Sequence, residues 1–306
     1  MTTTAKVITD SIGEYSPRLL TLELEYPRFI HAEVMTHRVF SRNASSSRAI
    51  PTKRMHRNIL DNPALPASFR MNEPGMQGYT EAPPQVVDQA LEIIERHRLF
   101  SIETAEALDA LGLHKQNVNR YTEAHQHIKV VLTSCQWDNF DWLRIHHAAD
   151  PTMIALADAI YAAREASTPK MLKPGEWHLS YITESDYARV EQMENKGDLT
   201  DLAILLRVSA ARCARVSYNN FEGKPTTLEE DLALYEKLIK DFRGIVADFD
   251  PLHASPVEHQ ATPDRYLSRA MSWDQPALHG NLPGWVQHRK LIPGENMEGY
   301  KWQPLL

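Results

Sequence analysis

The chain has 306 residues, with 40 acidic against 33 basic side chains and a formal net charge of −7. This negative balance argues against nucleic-acid binding over the whole surface, although it leaves room for a local basic pocket. No run approaches the roughly 18 apolar residues of a membrane span, and the N-terminus has no hydrophobic signal core. Cys135 and Cys213 are the two cysteines and cannot build a disulfide framework. These features predict a soluble cytoplasmic protein.

Strand-like patterns appear early in the chain and again near its middle. Residues 19–25 alternate apolar and polar side chains, which is the period of a half-buried strand. Residues 28–35 fit either a second strand or the opening of a helix. Residues 128–132 form a short apolar run that indicates a buried strand.

Helical spacing and loop composition account for most of the remaining chain. Pro151 is either a first-turn residue of a new helix or a break. Residues 264–306 are rich in Trp, Pro and Gly and are predicted to wrap the surface. We therefore expect a single α+β domain over 1–306 with a mixed or antiparallel sheet. The predicted helices cover 85–111, 137–166, 199–216 and 227–242, the loop covers 63–84, and 170–195 is mixed.

The most unusual segment covers residues 35–48. It concentrates cations and short hydrogen-bond donors without any acid. Arginine binds phosphate bidentately, and serine and asparagine can fill the remaining oxygens. A solvated basic loop is the alternative, but the density of donors favours an anion site. The residues concerned are His37, Arg38, Ser41, Arg42, Asn43, Ser45, Ser46, Ser47 and Arg48.

Two further segments carry candidate chemistry. Arg144 lies among apolar helical residues and is either a paired, snorkelling side chain or a donor to a planar ligand such as a nucleobase. His253 and His259 are six positions apart and do not share a helix face, so no metal site is predicted. Ser255 before Pro256 instead predicts a capped helix start, which can itself bind phosphate.

Together these segments resemble the flavin-dependent thymidylate synthase family. Its signature, RHRxxSxNxxSxR, is similar to residues 36–48, where His37, Arg38, Asn43 and Arg48 stand at the family spacing. Residues 139–144, Asn-Phe-Asp-Trp-Leu-Arg, resemble the family's NFxxLR segment. Arg120 is similar to the arginine that precedes that segment and grips nucleotide phosphate.

The order of the resembling segments is unusual. In the family, an AARVS segment and an HxTPxEH segment precede the Arg-His-Arg motif. Here their counterparts, 214–218 and 253–259, follow it, which indicates a circular permutation or a rearranged duplication. Residues 284–290 resemble the Arg-His-Arg motif a second time, but the serines and asparagine that complete the motif are missing there. We therefore expect residues 36–48 to be the functional copy of the motif.

The resemblance implies transfer of a one-carbon unit from methylenetetrahydrofolate to the 5-carbon of dUMP, giving dTMP. It implies FAD as cofactor, NADPH as reductant, and a homotetramer. It divides the domain into a motif block at 1–60, a nucleotide-binding block at 85–166, a flavin-binding block at 199–263 and an extension at 264–306. The implied catalytic residues are Arg144 and Ser46, the substrate-binding residues are Glu33, Ser46, Ser47, Arg48, Arg120 and Arg144, and the cofactor-binding residues are His37, Arg38, Asn43, Asn139, Ser217, His253 and Ser255.

This sequence departs from the family pattern at several positions. Thr36 replaces the first arginine, Glu33 replaces a glutamine, and Ala44, Ala49 and Ala148 replace a glutamate, a tyrosine and a histidine. A moved carboxylate can change which base edge is satisfied. Hydroxymethylation of dUMP, methylation or hydroxymethylation of dCMP, and a catalytically silent flavin- or nucleotide-binding protein therefore remain alternatives.

Overall fold

The computed structural model describes residues 3–218, 226–238, 255–292 and 295. Its main sheet has the strand order β3-β4-β2-β1-β5. Neighbouring strands are antiparallel except β1 and β5, which run parallel. The predicted α+β class with a mixed sheet is confirmed. The strands are β1 (Thr4–Gly13), β2 (Leu19–Pro27), β3 (Ser41–Ala44), β4 (His127–Ser134) and β5 (Lys170–Leu172).

The pairing of β2 with β4 forms the centre of the sheet. Leu22 lies opposite Leu132, and Leu24 lies opposite Val130, all fully buried on one face. Because side chains alternate across a strand, this face builds the main apolar core against the helix that follows Asp150. Burying each of these leucines contributes about 2 kcal/mol relative to exposure.

The described helices flank the sheet on both faces. α6 begins with Pro151 at its first turn, and Asp150 caps it by accepting from the Thr152 and Met153 amides at 2.8 and 3.1 Å. Pro151 therefore starts a helix. The segment 28–35 is helical, since a 3-10 turn at Arg28–Ile30 leads into α1. The helices are α1 (His31–Met35), α2 (Thr52–Asp61), α3 (Pro84–Ala110), α4 (Lys115–Val118), α5 (Asp138–Arg144), α6 (Pro151–Glu165), α7 (Glu184–Glu191), α8 (Asp201–Tyr218) and α9 (Leu228–Leu238).

α8 covers the second face of the sheet. Its Cys213 packs against Val131 of β4. Arg212 ties α8 to its neighbours, since it donates to Asp186 of α7 at 2.7 Å and to Asp231 of α9 at 2.9 Å. The predicted helix at 227–242 corresponds to α9, and residues 239–242 lie outside the described residues.

The chain after residue 254 contributes to the core, which corrects two predictions. Leu282 and Trp285 are fully buried in a cluster with Leu19, so the described part of 264–306 does not merely wrap the surface. No α-helix starts at Pro256 either, because a 3-10 helix of four residues, Ser255–Glu258, is followed by a strand that pairs with the Trp285 segment. The short strands here are β6 (Ala261–Pro263), β7 (Tyr266–Leu267), β8 (Ser272–Trp273) and β9 (Trp285–Gln287).

Among the helices of the described ranges, none is long and apolar enough to cross a membrane.

Candidate functional site

Asn43 of β3 joins two segments that are distant in the sequence. Its amide nitrogen donates to the backbone carbonyl of Cys213 in α8 at 2.6 Å. Its amide oxygen accepts from the Ser255 hydroxyl at 2.9 Å. Asn43 is buried, so its two hydrogen bonds are shielded from water. The fold therefore brings the segment 36–48 against α8 and the turn at Ser255–Glu258.

A buried polar network anchors the end of the segment 253–259 to the sheet. The Thr133 hydroxyl lies 2.8 Å from Nδ1 of His259 and 2.6 Å from the Thr21 hydroxyl, which in turn lies 2.9 Å from Nε2 of His178. Burial lowers the pKa of both histidines to about 3, so both are neutral at physiological pH. The network is therefore uncharged and hydrogen-bonded, and it lies beside the Asn43 junction, because Asn43 pairs with Val131, two residues from Thr133.

Arg144 and His37 form the second centre of the site. Nε of Arg144 donates to Nε2 of His37 at 3.0 Å, while its terminal nitrogens reach Glu33 Oε2 at 3.2 Å and the Thr36 hydroxyl at 3.3 Å. Burial, with the nearby Arg144 and Arg42 charges, lowers the pKa of His37 to about 4. The imidazole is therefore neutral and accepts at Nε2. Arg144, predicted as either paired or ligand-facing, is paired here.

Glu33 shares this centre as the carboxylate partner of Arg144. Burial raises its pKa, Asp150 adds to the increase, and Arg144 opposes it. The Arg144–Glu33 contact at 3.2 Å places a basic and an acidic side chain side by side at the edge of the site.

A cavity of about 460 Å³ adjoins His37. Its wall includes Trp137, Phe140 and Asn139, so two of the predicted cofactor residues, His37 and Asn139, face the same space. Phe140 meets the His37 ring edge-on at 4.9 Å. Cavities of this size and aromatic character are typical of small-molecule sites. Trp137 and Phe140 were not assigned a role from the sequence, although their place around the Asn-Phe-x-x-Leu-Arg segment was a usable signal.

The structure separates the cations of 35–48 into two kinds. Arg42 is half-buried and donates to the backbone carbonyls of Val34 and His37 at 3.1 and 3.0 Å, so it holds the local fold. The side chains of Arg38 and Arg48 are exposed and have no hydrogen-bond or ion-pair partner within the described part of the chain. These two arginines remain available to an anion.

The hydroxyls of the same segment divide in a similar way. Ser47 is buried and donates to Glu123 at 3.2 Å, which makes it a structural contact. Ser46 is half-buried, and its hydroxyl accepts from the Arg48 amide at 3.3 Å. Arg120 is exposed on the 3-10 helix Asn119–His125 and lacks a partner among the residues that the structure describes. Its neighbour Asn119 donates to the Ser47 carbonyl at 2.8 Å, which links that helix to the segment 35–48.

The second segment that resembles the motif, 284–290, contacts the turn at Ser255–Glu258. Gln287 donates to the Glu258 carbonyl at 3.1 Å, and Arg289 pairs with the Glu258 carboxylate. This ion pair was missed from the sequence, because nothing local indicates that these positions meet. Of the predicted cofactor residues, His253 lies outside the described residues, and so does the side chain of Ser217. The described residues contain no group of three or more His, Cys, Asp or Glu side chains that could hold a metal ion.

Comparison with known proteins gives a limited likeness. No protein-family model matches the chain, and no curated protein matches it. Among solved structures, the UMP/dUMP methylase PolB from Streptomyces cacaoi bound with 5-Br dUMP is 14% identical, with a TM-score of 0.44 over 53% of this chain and 89% of that one. The same methylase bound with 5-Br UMP gives 14% identity and a TM-score of 0.44 over 53% and 88%.

Proposed function

We propose that this protein is a flavin-dependent thymidylate synthase-like methyltransferase. It transfers a one-carbon unit from methylenetetrahydrofolate to the 5-carbon of dUMP, giving dTMP, with FAD as cofactor and NADPH as reductant. The observation that carries the proposal is the Asn43 junction, because Asn43 contacts both α8 and Ser255. Segments that resemble one family's motifs thus meet at one place despite their altered order. We further propose that the protein is a cytoplasmic homotetramer.

The cavity beside His37 supports a flavin by the chemistry of its wall. Trp137 and Phe140, which are 5 and 2% exposed, make part of the wall apolar, with the Arg164 guanidinium 4.6 Å from the Trp137 ring. The Asn139 side chain offers both a donor and an acceptor. A neutral His37 adds no charge at this wall. When bound, the flavin supplies the hydride chemistry, while the protein supplies position and electrostatics.

The Arg144 centre supports the pyrimidine half of the reaction. A uracil that becomes nucleophilic at its 5-carbon develops negative charge on its ring oxygens. Arg144 is held by His37 and Glu33 before any ligand arrives, so its donors are preorganised for that charge. Arg48 and Arg120, with Ser46, are the proposed phosphate contacts, since their charges are not neutralised within the described chain.

The test uses purified protein with FAD, NADPH, methylenetetrahydrofolate and dUMP. We expect bound FAD to show its visible absorbance bands and mass spectrometry to show a methyl gain on dUMP. Light scattering should give a mass of about four 34.9 kDa chains. Bound flavin without any change to dUMP or dCMP would favour the catalytically silent binder and overturn the proposed reaction.

One observation favours a second candidate, action on dCMP. The carboxylate of Glu33 lies 3.2 Å from Arg144, at the place proposed for the base. Carboxylates accept from the exocyclic amine of cytosine, which uracil lacks. Parallel incubation with dCMP separates the two substrates, and mass spectrometry separates a methyl from a hydroxymethyl product on either base. Glu33→Gln should shift preference toward dUMP, and unchanged selectivity would remove this candidate.

A further inference from the structure

A separate cavity of about 500 Å³ lies where β5, α7 and α8 approach one another. Its floor includes Leu172, Leu179 and Leu205, which are 5, 6 and 4% exposed. None of the residues assigned to the proposed reaction lines it. The floor is therefore part of the packed core, and the cavity presents a preformed apolar surface.

Two aromatic side chains, Trp177 and Tyr187, line the cavity together with these leucines. Trp177 is half-buried and meets the His288 ring edge-on at 6.2 Å and 85°. Tyr187 is 44% exposed although it lines the cavity. Burial, followed by the neighbouring Glu184 carboxylate, raises the pKa of Tyr187. A carboxylate thus lies close enough to this ring to act on it electrostatically.

The polar rim of the cavity is acidic. Glu176, Glu184 and Asp201 face one lysine, Lys170. Asp201 is paired with Lys196 at 2.7 Å, but Glu184 has no ion-pair partner in the described ranges. The rim therefore keeps a negative balance above an aromatic and apolar interior.

We infer that this cavity binds a small organic cation, an alkylated ammonium with an apolar body. Aromatic faces attract such cations through the ring quadrupole, and the attraction grows when the cation is desolvated. The leucine floor takes the alkyl groups, and Glu184 supplies the counter-charge. A neutral ligand of the same shape gains the apolar contact but neither electrostatic contribution. The site is independent of the proposed methyl transfer.

Calorimetric titration of the full chain tests this inference, using choline and its neutral isostere 3,3-dimethyl-1-butanol. These probes have the same shape and differ in charge. We expect saturable binding of choline that is about tenfold tighter than binding of the alcohol. Equal affinities, or no saturable choline binding, would overturn the inference. The titration contains no flavin, folate or nucleotide, so its outcome does not depend on the proposed function.

Variants assign the binding to this cavity. Trp177→Leu and Glu184→Gln should each weaken choline binding about tenfold while leaving the alcohol less affected. Trp142→Leu is the matched control, because Trp142 is 74% exposed and does not line the cavity. Circular dichroism confirms that each variant is folded before titration. Choline affinity that Trp177→Leu and Glu184→Gln leave unchanged would place the binding elsewhere and refute the assignment.

Discussion

Replacing Thr133 by valine tests the buried network beside the Asn43 junction. Thr133 is fully buried, and valine has nearly the same shape, so the substitution removes a hydroxyl without opening a cavity. Nδ1 of His259 then loses the partner at 2.8 Å, whereas Thr21 keeps its contacts to His178 and Ser180. A buried polar group left without a partner costs about 1–3 kcal/mol, and the lost Thr21–Thr133 bond adds about 1 kcal/mol. We expect the free energy of unfolding to fall by about 3 kcal/mol.

Urea titration followed by circular dichroism measures this loss. With a slope near 3 kcal/mol per molar urea for a chain of this size, the midpoint should fall by about 1 M at unchanged slope. Thr104→Val is the control, because the Thr104 hydroxyl is exposed and donates to the Phe100 carbonyl within α3. That variant should change stability by less than about 0.5 kcal/mol. If Thr133→Val has the wild-type midpoint, Thr133 does not satisfy His259 and the network contributes no stability.

Three further outcomes follow from the site. A double-mutant cycle of urea unfolding with Asn43→Ala and Ser255→Ala should give a coupling free energy of about 1 kcal/mol. Additive effects of the two substitutions would mean that the two side chains do not interact. His178 and His259 have pKa values of about 3 in the folded protein, below the value of 6.5 in the unfolded chain. Their contribution to the free energy of unfolding is therefore complete above pH 6.5 and is lost as the pH falls toward 3. At pH 5 the free energy of unfolding, measured by urea titration, should be lower by about 2 kcal/mol for each histidine. An unfolding midpoint that is unchanged between pH 7.5 and 5 would contradict this. Arg144→Lys keeps the positive charge but loses the planar guanidinium that reaches both His37 and Glu33. We expect the turnover of dUMP to fall at least about tenfold while the affinity for FAD is unchanged. Wild-type turnover would exclude Arg144 from the reaction.

Elements with strong local signals were predictable from the sequence. The alternation at 19–25 corresponds to β2, and the helical spacing at 85–111 corresponds to α3, Pro84–Ala110. The helical spacing at 137–166 corresponds to two helices, α5 and α6, and the sequence left open whether Pro151 begins a new helix or is a break. The Asp150 side chain accepts hydrogen bonds from the Thr152 and Met153 amides, and this cap shows that Pro151 begins the second helix. Periodicity identifies such segments because the spacing of apolar residues lies in consecutive positions of the chain, even where the side chains are exposed, as at Val86 and Ile93 of α3.

Elements that depend on distant partners were not predictable. β9 has three residues, Trp285–Gln287, and its burial comes from pairing with β6 and packing on Leu19. The same holds within the site. Arg42 and Arg48 look equivalent in the sequence, yet Arg42 is engaged by the carbonyls of a turn that only the fold creates. The family resemblance implied that Asn43 and Ser255 bind the same cofactor, but not that they bond to each other.

The Asn43–Ser255 bond also has a consequence for the order of folding. It joins residues 212 positions apart, whereas β1 and β2 pair as neighbours across a short connection. The entropy lost on closing a loop grows with its length, and contacts between distant residues form slowly. During synthesis the sheet can begin to assemble early, but the junction waits until residue 255 has left the ribosome. A nascent chain stalled just before that point could form the bond from Asn43 to the Cys213 carbonyl but would lack the Ser255 donor to the Asn43 amide oxygen. The candidate site would therefore close as one of the last events of folding.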